Sequence, residues 1–288
     1  MQELIVLSGK GGTGKTSIVA SLAQIFQDKV LADCDVDAAD LHLLLHPTIL
    51  EKKEFWSGKT AFLHPEKCIE CGQCLDLCRF KAIQENFIID KISCEGCGVC
   101  AYFCPQKAIE MQENMAGYLF VSTTSCGPMI HARLGTGEEN SGKLVAEVRN
   151  RARQKAQKEN LPLILIDGPP GIGCPVIASL AGAKSVLIIT EPTLSGLHDL
   201  ERVIQLAQHF QVQTFVCINK ADLNPRQVKE TIDHCTELGI KIIGQIPYDE
   251  EITKAQIAGQ NIIEFNPQSL VAQEIKMMAQ KLKEYLKI

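Results

Sequence analysis

A chain of 288 residues is long enough for one large domain or two modest ones with buried cores. With 45% hydrophobic and 22% charged residues it has a globular composition, not a disordered or fibrous one. The formal net charge of −5 gives no reason to expect a nucleic-acid partner.

The opening residues, Met1-Gln2-Glu3-Leu4-Ile5-Val6-Leu7, lack the basic start and longer apolar stretch of a secretory signal, so they read as a strand. No later run nears the roughly 18 apolar residues of a membrane span. A cytoplasmic protein is expected. The first strand runs into Gly9-Lys10-Gly11-Gly12-Thr13-Gly14-Lys15-Thr16, which fits the pattern Gly-x-x-x-x-Gly-Lys-Ser/Thr. A helical pattern follows from Thr16 to about Phe26, and strand–loop–helix is the context this phosphate loop requires. Its glycines let the backbone wrap phosphates, and amides at the helix start face the negative charge. Lys15 is expected on the β- and γ-phosphates of ATP and the Thr16 hydroxyl on magnesium. Val30–Ala32 then leads into an acidic turn, Asp33-Cys34-Asp35-Val36-Asp37.

From about Thr60 to Glu113 the chain carries an internal repeat with an offset of 26 positions. Cys68, Cys71, Cys74 and Cys78 recur as Cys94, Cys97, Cys100 and Cys104, Gly72 recurs as Gly98, and Lys81-Ala82-Ile83 as Lys107-Ala108-Ile109. Eight of thirteen cysteines fall in this stretch, and in a reducing cytosol such density argues for metal instead of disulfides. Cys-x-x-Cys-x-x-Cys-x-x-x-Cys, twice, is the bacterial dicluster ferredoxin pattern, in which the fourth cysteine serves the other cluster. Cys68, Cys71, Cys74 and Cys104 are therefore expected to hold one [4Fe–4S] cluster, and Cys94, Cys97, Cys100 and Cys78 the second. Zinc is the rival ligand, although its ribbons usually lack the third and fourth cysteines at these steps. Pro105 follows Cys104 as the pattern expects, whereas Arg79 follows Cys78. Residues 61–113 carry eight acidic and five basic side chains, so a redox or metal-cluster partner should present a basic face.

The return segment, 116–142, is glycine-rich with one strand candidate at Tyr118–Ser122. Of the five remaining cysteines, Cys217 reads as a core residue, Cys34 and Cys174 flank the nucleotide loops, and Cys126 is expected to be the exposed, functional one. Leu163–Ile166 ends at Asp167-Gly168-Pro169-Pro170, a carboxylate placed to hold the magnesium shell. Strand candidates Ser185–Thr190, Thr214–Asn219 and Lys241–Ile246 alternate with helical patterns Leu194–Phe210, Pro225–Leu238 and Pro267–Leu286. Apolar strands alternating with helices predict an α/β fold, a mostly parallel, doubly wound sheet formed by 1–59 and 114–288, with an inserted ferredoxin domain at 60–113. Leu270, Val271, Ile275, Met278, Leu282, Tyr285 and Leu286 line one side of the last helix, the spacing of a core-facing helix more than of a membrane-binding one.

Lys10 adds a second lysine early in the loop, and Lys-Gly-Gly-Thr-Gly-Lys-Thr resembles the deviant Walker A loop of the MinD/ParA/Mrp/nitrogenase-iron-protein superfamily. The resemblance covers roughly 1–45 and 160–288. It implies an ATP-dependent dimer, of two copies or with a paralogue, in which Lys10 reaches the partner's nucleotide. It further implies that Asp35 orients the attacking water, Asp33 stands nearer the metal, Asn219 recognises the base, and Pro247 and Asp249 belong to the loop closing over adenine. The catalytic set is then Lys10, Lys15, Asp35 and Asp167. Three functions remain open: a nucleotide switch gating electron transfer, a cluster-assembly scaffold of Mrp type, and a MinD/ParA-like positioning protein with structural clusters.

Overall fold

The computed structural model describes residues 1–135 and 141–288. Of the return segment, Thr136, Gly137, Glu138, Glu139 and Asn140 therefore lie outside the described residues. Among the described residues nine strands form one sheet: β1 (Gln2–Ser8), β2 (Lys29–Asp33), β3 (Thr48–Leu63), β4 (Ile109–Thr124), β5 (Gly127–Leu134), β6 (Leu163–Pro170), β7 (Ser185–Thr190), β8 (Gln213–Asn219) and β9 (Lys241–Ile246). Their order is β3-β4-β5-β2-β6-β1-β7-β8-β9, and every pairing from β5 to β9 is parallel.

The helices are α1 (Lys15–Ile25), α2 (Leu41–Leu45), α3 (Gln73–Leu77), α4 (Val99–Phe103), α5 (Ser141–Lys158), α6 (Cys174–Leu180), α7 (Leu194–His209), α8 (Pro225–Glu237), α9 (Glu250–Ile257), α10 (Ile262–Phe265) and α11 (Leu270–Leu286). The chain divides into two compact units. The first holds Met1–Lys52, Leu119–Arg133 and Ser141–Ile288.

Alternation along the central strands shows why this sheet is covered on both faces. Leu4, Val6, Leu163, Leu165, Leu187 and Ile189 join the core beneath α1, α2, α10 and α11. Their alternates Ile5, Leu7, Ile164, Ile166 and Ile188 are equally buried, as a parallel sheet between helical layers demands. α11 turns Val271, Ile275, Met278, Leu282 and Leu286 into that core, so its apolar side is a core face. No helix among the described residues is long and apolar enough to cross a membrane. On the opposite layer, Glu3 at the start of β1 binds Arg149 and Arg153 of α5, and Arg149 also donates to the carbonyls of Ala178 and Ala181 at 2.7 and 2.9 Å. This buried ion pair fixes α5 against α6. Arg149→Ala is expected to destabilise the fold by about 2 kcal/mol, because it takes one of two cations from buried Glu3 and leaves the Ala178 and Ala181 carbonyls without that donor; urea denaturation checks it.

The strand reading was incomplete at one edge. β3 and β5 were not expected, and β4 extends well beyond Tyr118–Ser122. β5 begins Gly127-Pro128 and carries His131 and Arg133, which mask its alternation. It is a strand because Met129, Ile130 and His131 pair with Leu31, Ala32 and Asp33 of β2.

The second unit comprises Lys53–Tyr118, with Leu134 and Gly135 among the described residues. Here the sequence repeat is also a backbone repeat. Gly72 and Gly98 start α3 and α4 at φ 77° and 75°, and Lys81 and Lys107, again 26 positions apart, sit at φ 52° and 50°. Left-handed backbone is where glycine is favoured, and each of these residues closes a turn of the same loop in its own half.

Candidate nucleotide site and cysteine cavities

β1 delivers Gly9–Thr16 to the C-terminal edge of the sheet, between β6 and β7. Lys15 is buried and its Nζ lies 2.5 Å from Asp167 Oδ1 and 3.4 Å from Asp35 Oδ2. Asp33 and Asp167 are register partners on adjacent strands, so a third carboxylate joins the same pocket. Burial would lower the Lys15 pKa, but Asp167 and Asp35 more than offset it and hold the ammonium above its ordinary value. Burial, together with Asp167, raises Asp33 well above the carboxylate range. Burial also pushes Asp35 up to about 6 despite Lys15. Among the described residues the cluster thus sets Lys15 against Asp167 and Asp35, with Asp33 favoured in its protonated form.

That pocket suits a magnesium nucleotide. Asp33 Oδ2, Asp167 Oδ2 and Thr13 Oγ1 are buried without a hydrogen-bond partner. Buried oxygens without partners are costly, and a metal with its water shell would satisfy the two carboxylates. Thr16, at the start of α1 and half-buried, is the hydroxyl expected on the metal.

A cavity of about 600 Å³ continues from the loop and is lined by Gly12, Gly14, Asn219, Pro247, Tyr248 and Asp249, among others. It thus brings together residues that the sequence separates by more than 200 positions. Asn219 Nδ2 donates to Thr13 O at 2.8 Å, so it braces the phosphate loop as well as lining the cavity. Gly14 is obligatory here: its φ is +84°, and a Cβ would come 2.5 Å from Asn219 Nδ2. Asp249 caps α9, its Oδ1 accepting from Glu251 N at 2.9 Å. Gly11 is exposed, whereas Gly9 packs so tightly that a Cβ would meet Asp199 Cβ at 2.4 Å.

Lys10 is held within its own chain, 3.4 Å from Glu191 Oε2 and 3.4 Å from Ser195 Oγ. Glu191 also binds Lys220. Sequence reasoning missed Glu191. The signal was present, because Glu191 follows β7 as an acid at the carboxyl end of a parallel strand, like Asp33 and Asp167.

Asp35 sets a pH dependence. The role that the resemblance implies for Asp35, orienting an attacking water, requires the ionised carboxylate, so ATP turnover is expected to fall as pH is lowered through about 6. The sign for stability is opposite. With its folded pKa raised from 3.8 to about 6, Asp35 contributes stability that is full below pH 3.8 and lost as pH rises through about 6. Steady-state turnover between pH 5 and 8 checks the first sign, and Asp35→Asn, which removes the titration, should flatten the corresponding part of the stability profile.

In the second unit, one cavity of about 340 Å³ is lined by Cys68, Cys71, Cys74 and Cys104. Another of about 300 Å³ is lined by Cys78, Cys94, Cys97 and Cys100. Each cavity takes three cysteines from one half of the repeat and the fourth from the other. Cys104 Sγ accepts from Ala108 N at 3.2 Å and Cys68 Sγ from Glu70 N at 3.4 Å, contacts that suit thiolates. Among the described residues no three His, Cys, Asp or Glu side chains converge as ligands for a single metal ion. Outside these cavities the expectation for Cys126 is corrected. It is half-buried, packs against the core and donates to Gln24 Oε1 at 3.0 Å, because the β4–β5 turn folds it inward. Cys174 is the exposed one, while Cys34, Cys217 and Cys235 are buried.

Comparison with known proteins bears on both units. Residues 4–262 match the CobQ/CobB/MinD/ParA nucleotide binding domain family. An uncharacterized protein of Methanocaldococcus jannaschii is 35% identical over 289 residues, covering 99% of this chain and 98% of that one. Pyruvate synthase subunit PorD of Methanothermobacter marburgensis is 42% identical over 59 residues, 20% of this chain and 73% of that one. The solved structure of the Pyrococcus furiosus cell division ATPase MinD shares the fold at a TM-score of 0.62 and 18% identity, covering 99% of each chain.

Proposed function

The chain belongs to the CobQ/CobB/MinD/ParA nucleotide-binding family, and from that premise we propose that it is an ATP-driven dimeric switch coupled to two [4Fe–4S] clusters. The observation that carries the cluster half of this reading is the lining of the two cavities, each with the cross-over set of four cysteines. A cubane spreads its four thiolates around a cluster instead of gathering them on one ion, so four cysteines on the walls of one cavity is the arrangement it needs. Cys68, Cys71, Cys74 and Cys104 would hold one cluster and Cys78, Cys94, Cys97 and Cys100 the other, and bound clusters supply one-electron transfer.

At the nucleotide site Lys15 neutralises the β- and γ-phosphates, Thr16, Asp33 and Asp167 hold the magnesium and its waters, and Asp35 places the attacking water. Asn219, Pro247 and Asp249 bound the base. Lys10 leaves Glu191 and crosses to the nucleotide of a second subunit, either the same chain or a paralogue. Hydrolysis then separates the subunits, and the cycle gates electron transfer to a partner with a basic face.

Low-temperature EPR on anaerobically purified protein, poised at a series of potentials with Mg-ADP and then Mg-ATP, tests the coupling. Reduced-cluster signals that shift with nucleotide support it; two clusters indifferent to nucleotide sink it. Lys10→Ala is expected to abolish ATP-dependent dimers in sedimentation while leaving Mg-ATP binding within about threefold. The likeness to MinD favours a second reading, a positioning ATPase whose clusters are structural. Iron removal that leaves ATP-driven assembly intact would select it.

A further inference from the structure

The helix that walls the nucleotide cavity is pinned at a point the nucleotide does not touch. α9 contributes Ile252, Thr253 and Gln256 to the cavity. Its N-terminal end is fixed by the Asp249 cap and by Tyr248 N, which donates to Asp222 Oδ1 at 2.6 Å. In its last turn, Gln256 Nε2 donates to Ser17 Oγ of α1 at 2.6 Å. Beyond its C-terminal end, Gly259 O accepts from His46 Nε2 at 2.7 Å. A carbonyl only accepts, so this bond requires the tautomer that carries its proton on Nε2.

His46 is the last link of a short rigid piece. It caps α2 in the left-handed conformation, φ 44°, with its N–H on His42 O at 3.1 Å. α2 itself is seated through Leu41, Leu44 and Leu45 in the same core as Ile18 of α1 and Ala255 of α9. α2 begins directly after the acidic turn that carries Asp33, Asp35 and Asp37. Two residues after His46 the chain enters β3, the strand that leads on into the second unit. Gly259 answers from the other side. Its φ is +69°, and a Cβ there would stand 3.1 Å from both Cε1 and Nε2 of the imidazole, so the joint tolerates no side chain.

We infer that His46 is a positioning residue that ties the base-side wall of the nucleotide cavity to the acidic turn and to the root of β3. A nucleotide that draws α9 inward carries Gly259 with it. The hydrogen bond passes that displacement to α2, whose two ends are the water-placing turn and β3. The coupling runs through a contiguous chain of packed and bonded groups, which is the physical form such transmission takes. This inference rests on the nucleotide reading of the cavity.

His46→Asn tests it, because asparagine tolerates the left-handed conformation and keeps the cap but is too short to reach Gly259. The probes are Mg-ADP affinity by isothermal titration and hydrogen exchange of residues 41–50 with and without Mg-ADP. The expected result is binding weakened about threefold to tenfold, the worth of one hydrogen bond, with nucleotide-induced protection of 41–50 lost. Wild-type protein that fails to bind Mg-ADP overturns the nucleotide reading. Wild-type binding with His46→Asn equal to it in affinity and protection overturns the tether alone. Weakened binding with protection retained assigns His46 a local role and overturns the coupling as well. Should His46→Asn not fold, Gly259→Ala strains the same joint from the opposite side and is expected to give the same two effects.

Discussion

Lys15→Met is expected to lower ATP turnover by at least about 10²-fold, the scale seen when one preorganised charge is removed from a reacting group. Its second effect is on the protein without nucleotide. Among the described residues Lys15 is the one ammonium that bonds Asp167 and Asp35 while acting on Asp33. Without it, buried carboxylates face each other uncompensated, a loss of about 3 kcal/mol at neutral pH. That loss should shrink as pH falls, because Asp35, no longer held down by Lys15, takes up a proton more readily. Thermal unfolding from pH 5 to 8 reads the stability, and phosphate release reads the turnover. Adding Asp167→Asn should restore part of the stability and none of the turnover. A variant of wild-type stability at pH 8 would show that the cation does not hold this cluster together.

Cysteine deletions discriminate between crossed and local ligation of the clusters. With two intact clusters the anaerobically purified protein should carry about eight irons per chain. Cys71→Ala and Cys104→Ala should each reduce this to about four. The decisive variant is the double substitution. Cys71 and Cys104 line one cavity, so under crossed ligation the pair removes a single cluster and about four irons remain. If each half of the repeat served itself, the two cysteines would belong to different clusters, and the double variant would lose both. Iron and acid-labile sulfide analysis, with EPR to identify the surviving cluster, gives the answer. Full retention of iron in either single variant would remove that cysteine from the ligand set.

Features set by near neighbours in the chain were legible from the sequence. The phosphate loop needs a glycine pattern, a lysine and a helix start within a few residues, and Gly9–Thr16 contains all of them. The cysteine repeat carries its own geometry too, because short spacers and left-handed Gly72 and Gly98 fix how three thiols turn to one side. β1, β6 and β7 were readable because strands buried on both faces are written as unbroken apolar runs. Cys217 is legible as core for the same reason, and the last helix by its helical spacing, although Leu270 and Tyr285 of the expected face are exposed.

What escaped depended on partners far away in the chain. β5 is a strand because β2 lies beside it, and its own residues hide the fact. Cys126 looked exposed in a glycine-rich stretch, yet the turn it occupies folds onto α1. Glu191 gained its role only when β7 was laid next to β1, within reach of Lys10. The sequence by itself determined that Gly9–Thr16 has the form of a phosphate loop and that cysteines gather in two repeated loops. Only the tertiary structure decided which carboxylates share Lys15 and that His46 meets Gly259. Lys15 meets Asp167 and His46 meets Gly259 through strand order and helix packing across more than a hundred residues, and no local spacing encodes them.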